Sequence, residues 1–145
     1  MPVALGRDPE LVAPALTFAE LRNTASREFV RILTAVTRMW ARGELDHVLD
    51  GVETWGEFRE RVAGGIRTMT AGAAKGARVA AFTSGGAVSV AAGFALGIGD
   101  ERVIELSWLV RNTSITELAF STRRVTLAAF NSTPHLVDPA TVTVR

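Results

Sequence analysis

The 145 residues include no cysteine, and 16 basic side chains nearly balance 15 acidic ones, for a formal net charge of +1. The first fact excludes disulfides, thiolate metal sites and a cysteine nucleophile, and the second removes any general electrostatic reason to bind nucleic acid or an anionic membrane. With 48% hydrophobic and 21% charged residues, the chain has the make-up of a single globular domain, residues 1–145, with a sizeable core.

Met1 to Ala15 carries prolines at 2, 9 and 14 and no periodicity, which predicts an extended arm or loop. Its opening residues, Met1-Pro2-Val3-Ala4-Leu5-Gly6-Arg7-Asp8, lack the basic-then-apolar order of a signal peptide. The longest apolar run, Ala87 to Ile98, is too short to span a bilayer. The expected setting is therefore the cytoplasm, without a membrane partner.

Thr17-Phe18-Ala19-Glu20 fits a capping box, and Phe18, Leu21, Phe29, Ile32, Leu33, Val36 and Met39 fall largely on one helical face. That helix is expected to end near Gly43, with Glu44 to Val52 as a polar connection. Thr54-Trp55-Gly56-Glu57 is a second capping box, followed by Phe58, Val62, Ile66 and Met69 at helical spacing and a stop by Gly72.

Arg78 to Phe82 reads as a short strand, apolar after its first residue, of the kind covered on both faces in parallel sheets. A tight turn and a helix over Gly86 to Gly97 follow. Val103 to Val110 is apolar without a clear period. Ser114 to Ser121 and Arg124 to Phe130 alternate well enough to be paired strands joined by Ser121-Thr122-Arg123. The tail from Pro134 is a loop leading to Val142-Thr143-Val144.

The turn Thr83-Ser84-Gly85-Gly86 carries the chemistry. A strand running through a tight turn into a helix aims backbone N–H groups and the positive end of a helix dipole at one point, which suits a phosphate. The two glycines permit close backbone approach. Ser84 as a nucleophile needs a base, and the sequence offers none. A dinucleotide site is rejected, because there is no Gly-x-Gly-x-x-Gly and no acidic residue closing a second strand. No His/Asp/Glu grouping has metal-ligand spacing, and no cofactor is implied. Trp40, Trp55 and Trp108 read as packing residues, His47 as an exposed loop residue and His135 as a hydrogen-bonded anchor of the closing loop.

Four segments, in order, resemble the second half of a histidine phosphatase (phosphoglycerate mutase-like) domain. Glu53 to Val62 is similar to the family's Gly-Glu-Ser helix start. Phe82-Thr83-Ser84-Gly85-Gly86 sits at its His-Gly-Gly signature, in the form of a branch that carries Ser. Asn112-Thr113-Ser114-Ile115-Thr116 resembles Asn-x-Ser-[Val/Ile]-Thr, and Asn131 to Leu136 the closing Asn-x-x-x-His-Leu. The resemblance is clearest over residues 53–136.

It implies a partial layered α/β fold, a mixed sheet flanked by helices, with phosphate esters as the substrate class. Thr83, Ser84, Gly85 and Gly86 become phosphate-binding candidates, with Arg111 and Asn112 site-adjacent. The family's nucleophile lies in an Arg-His-Gly signature, and neither His47 nor His135 sits in one. No catalytic residue is assigned, and the expectation is a pseudoenzyme. The chain reads either as a piece of a longer enzyme or as a degenerate member kept for binding or assembly. One alternative is an active phosphatase completed by a missing N-terminal segment or a partner chain. The other is a non-catalytic interaction module. Because nothing pairs with the strand at Val79–Phe82, self-association or a complementing chain is expected.

Overall fold

The computed structural model describes residues 26–48, 51–121 and 123–144, so the Thr17–Glu20 capping box lies outside the described residues. The chain divides into two compact units, Met1–Phe58 and Arg59–Arg145.

In the first unit, helix α1 (Ser26–Ala41) places Phe29, Ile32, Val36 and Met39 at spacings of three and four residues. Ile32 and Met39 are fully buried. Ile32 packs with Phe29, Ala35 and Val36, and Met39 packs with Leu45, Val36 and Trp40. The chain leaves the helix through Gly43 at φ 73°, a left-handed conformation that glycine adopts without steric cost. His47 lies in the following turn, exposed, as expected.

Helix α2 (Trp55–Thr70) starts at the second capping box, which forms as the sequence predicts. Glu57 Oε2 accepts from the Thr54 backbone N–H at 2.8 Å, and Glu57 N–H donates to Thr54 Oγ1 at 3.2 Å. The Thr54 backbone N–H, and then its hydroxyl, which donates to Glu57 Oε2 at 2.9 Å, lower the pKa of the Glu57 carboxyl. Trp40, Trp55 and Phe58 form one aromatic cluster, with ring centroids 5.0–5.7 Å apart. The Trp40 indole N–H donates to the Glu53 carbonyl at 2.9 Å. Trp40 and Trp55 thus pack against each other and against Phe58.

The second unit takes up the rest of α2, which ends two residues before Gly72 at φ 70°. Helix α3 (Gly85–Leu96) and helix α4 (Asp100–Leu109) follow. They pack together at Gly93, where an added Cβ would run into Val103 Cγ2. Gly97, at φ 66°, terminates α3 by donating its N–H to the Gly93 carbonyl. The stretch whose state the sequence left open, Val103 to Val110, is mostly α4. Asp100 and Glu101 sit in its first turn, where the helix dipole favours anions. Arg59 Nη1 reaches both Asp100 oxygens, at 2.9 and 3.0 Å, tying α2 to the start of α4.

Strands β1 (Ile115–Phe120) and β2 (Val125–Ser132) form an antiparallel hairpin closed by Ser121 N–H to the Arg124 carbonyl. Every second residue of β1 is half-buried, and α3 packs against both strands. A short 3-10 helix, Pro139–Thr141, leads to a bridge between Val144 and Arg111. The α/β class and the partial layered fold hold, with α3 packed on a sheet that, among the described residues, is the antiparallel β1–β2 pair and not a mixed sheet.

One expectation fails. Residues 77–84 form neither helix nor strand, and Val79 and Phe82 are exposed at 48% and 101% rather than covered on both faces. The only ladder among the described residues is the β1–β2 hairpin. An apolar run becomes a strand only when another strand satisfies its backbone, and none among the described residues does so here.

Candidate functional site

Thr83 and Ser84 are exposed at the mouth of α3, and Gly85 and Gly86 are its first two residues, half-buried. The helix begins one residue earlier than the sequence predicts, so both glycines are inside it. Ser84 occupies the N-cap with β-region backbone (φ −80°, ψ 159°), and its carbonyl accepts from Val88 N–H at 3.0 Å. Its side chain makes no capping hydrogen bond, and the first turn holds no acidic residue. The leading N–H groups of a helix have no intrahelical partner, so with no side chain among the described residues bonded to them they are open to a solvent molecule or an anion.

The turn is braced from within. Ser89, fully buried, donates its hydroxyl to the Gly85 carbonyl at 2.9 Å. The sequence reading passed over Ser89. The available signal was a lone hydroxyl four residues after Gly85 in an otherwise apolar helix, the spacing at which serine bonds back to the preceding turn.

Arg111 and Asn112 lie where α4 gives way to the hairpin. Ser114 N–H donates to the Arg111 carbonyl at 3.2 Å, and Thr113 sits at φ 60°. Asn112 N–H donates to the Thr143 carbonyl at 2.9 Å, and Asn112 Nδ2 donates to Thr143 Oγ1 at 2.8 Å. His135 Nε2 lies 3.1 Å from Thr113 Oγ1, so it anchors the closing loop as the sequence suggests. No hydrogen bond or ion pair joins Arg111 or Asn112 to residues 83–86 among the described residues. Asn131, which the sequence reading quoted without giving it a role, bonds the backbone on both sides of Val110.

Among the described residues, no three or more His, Asp or Glu side chains are grouped to hold a metal ion, and no helix is long and apolar enough to cross a membrane. The turn can do one thing chemically: donate backbone and hydroxyl hydrogen bonds to an anion. Its side chains able to accept a phosphoryl group are hydroxyls, and no hydrogen bond joins the Ser84 hydroxyl to a base among the described residues.

No curated protein matches the chain, and no solved structure does. The family model described as histidine phosphatase superfamily (branch 1) matches residues 16–133, which takes in the first three segments on which the resemblance rests and the start of the fourth, stops short of His135 and Leu136, and extends toward the N-terminus. The chain therefore belongs to the histidine phosphatase superfamily.

Proposed function

We propose that this chain is a phosphate-binding member of its superfamily that does not turn over phosphate esters by itself. Thr83, Ser84, Gly85 and Gly86 form its anion site, with Arg111 and Asn112 adjacent. The observation that carries this reading is Ser84. It stands where the resemblance puts a histidine, at the mouth of α3, with its hydroxyl unused for capping. A neutral hydroxyl can orient a phosphate oxygen but cannot take up the phosphoryl group as a histidine does, nor balance the charge that develops on it. Of the two histidines, His135 is engaged by Thr113 and His47 sits in an exposed turn of the first unit. We place this activity in the cytoplasm, which the lack of cysteine suits, with no nucleic acid or membrane as partner.

The test is hydrolysis of a generic phosphomonoester by the purified chain and by its Ser84→Ala variant. Both should show the same background rate. A robust rate that collapses in Ser84→Ala would overturn the reading and make Ser84 a nucleophile.

A second reading keeps the activity but divides it between segments or chains. Residues 78–82, apolar after Arg78 and each exposed, favour it. A strand supplied from elsewhere, or by a second copy through self-association, would cover Val79 and Phe82 and could bring a nucleophile to the turn. Adding a candidate complementing fragment to the assay above separates this reading from the first. A plain interaction module with no anion site is the outcome if phosphate stabilises the fold not at all.

A further inference from the structure

We propose that Asn131 is a positioning residue: its carboxamide stands in for a neighbouring strand and holds the Arg111–Asn112–Thr113 turn in place. The inference rests on the reading above only in counting Arg111 and Asn112 as adjacent to the site.

The geometry begins with the register of the hairpin. Ile115 pairs with Ser132 and Glu117 with Ala129, so β2 carries one extra residue between these pairs. Asn131 lies in that bulge at φ 61°. Bulges re-aim a side chain out of the regular alternation of a strand, and asparagine is among the few residues that tolerate left-handed backbone. The re-aimed amide meets the exit of α4. Nδ2 donates to the Leu109 carbonyl at 2.7 Å, and Oδ1 accepts from Arg111 N–H at 2.7 Å. The backbone N–H of Asn131 donates to Thr116 Oγ1 at 3.2 Å, which ties the bulge to β1.

A carbonyl and the N–H two residues on are the pair that one residue of a parallel neighbouring strand would engage. Here one side chain engages both. It satisfies a carbonyl left over at the end of α4 and fixes the first donor beyond the helix C-cap, Val110. On the other side, the closing segment takes Asn112 through Thr143 and Thr113 through His135. Thr113 is β-branched at φ 60°, an arrangement that persists only when its surroundings over-determine it. Asn131 supplies one side of that constraint, and the closing segment supplies the other.

A rival account gives Asn131 the role of tolerating left-handed backbone and nothing more. Asn131→Gly separates the two, because glycine adopts that backbone freely and loses both amide bonds. Hydrogen exchange is read at the amides of Arg111 and Asn112, as a ratio to the ladder amides of Leu118 and Leu127. The clamp predicts that Asn131→Gly speeds Arg111 exchange roughly tenfold against the ladder, the scale of one net hydrogen bond. Asn131→Asp keeps the acceptor for Arg111 but faces the Leu109 carbonyl with a second oxygen, and should fall between glycine and asparagine. An unchanged ratio in Asn131→Gly, or equal loss at Arg111 and the ladder, overturns the proposal. Inorganic phosphate added to the same samples and followed at Gly85 and Gly86 reads the anion site separately, so failure of the site and failure of the clamp are distinguishable.

Discussion

The hydroxyl of Ser89 donates to the carbonyl of Gly85 at 2.9 Å, from a side chain with no exposure to solvent. The turn at the start of α3 is thus fixed on its buried side by a residue one helical turn along. Removing that hydroxyl leaves the Gly85 carbonyl with its helical partner, so the cost should be modest. Ser89→Ala should lower stability by about 1 kcal/mol in urea unfolding. Ser89→Val puts a methyl where the hydroxyl was and adds a second one at a fully buried site, and should cost more through overpacking.

The α3–α4 contact makes a sharper prediction. A Cβ at Gly93 would occupy the space of Val103 Cγ2. Gly93→Ala gains up to about 1 kcal/mol in helix propensity but should lose roughly 1–3 kcal/mol to overpacking, for a net loss. Shrinking the opposing side chain should relieve the clash. The double variant Gly93→Ala/Val103→Ala should then lose less than the sum of the two single losses in a double-mutant cycle.

Phe82 is exposed at 101% and contributes no burial to this structure. Phe82→Ser should therefore leave the unfolding midpoint nearly unchanged, within about 0.5 kcal/mol. If the exposed segment drives self-association, the same change should shift sedimentation or light scattering toward the monomer. A loss of stability in a chain that stays monomeric would mean that Phe82 is covered in solution.

The Thr54–Glu57 box makes stability depend on pH. Backbone and side-chain hydrogen bonds from Thr54 depress the Glu57 pKa in the folded state. A depressed carboxyl contributes stability that is present above its unfolded value. That stability is lost as pH falls through the folded value. Thermal unfolding should thus show an acid-side decline that begins in the usual glutamate range and continues below it, through the depressed folded value. Glu57→Gln, which cannot titrate, should flatten that part of the profile. An unaltered acid limb in the variant would assign the decline to other carboxylates.

The parts of the fold legible from sequence are those set by local chemistry. Thr54 and Glu57 announce a helix start because the box is closed within four residues. Gly72 and Gly97 mark helix ends because a left-handed residue is needed there. The β1–β2 hairpin follows from alternation across a short turn. Val79 to Phe82 shows the limit: its residues favour a strand, but a strand exists only with a partner, and that information lies outside the segment. The start of α4 was open to reading from Asp100 and Glu101, whose charge suits a helix N-terminus. Asn131 was hidden because its role depends on a bulge, and a period of two cannot show where a strand gains a residue. Of the candidate site, the turn at Ser84 was legible, while the brace at Ser89 and the clamp at Asn131 were not.

The most direct test of the central claim is a titration with inorganic phosphate followed at backbone amides. The account predicts saturable shifts at Ser84, Gly85 and Gly86 in the millimolar range or below, with a matching rise in melting temperature. Both should be abolished by Gly85→Val, which blocks close approach of the anion. If millimolar phosphate moves neither the amides near Ser84 nor the melting temperature, the turn is a helix start without a ligand, and the phosphate-binding account is wrong.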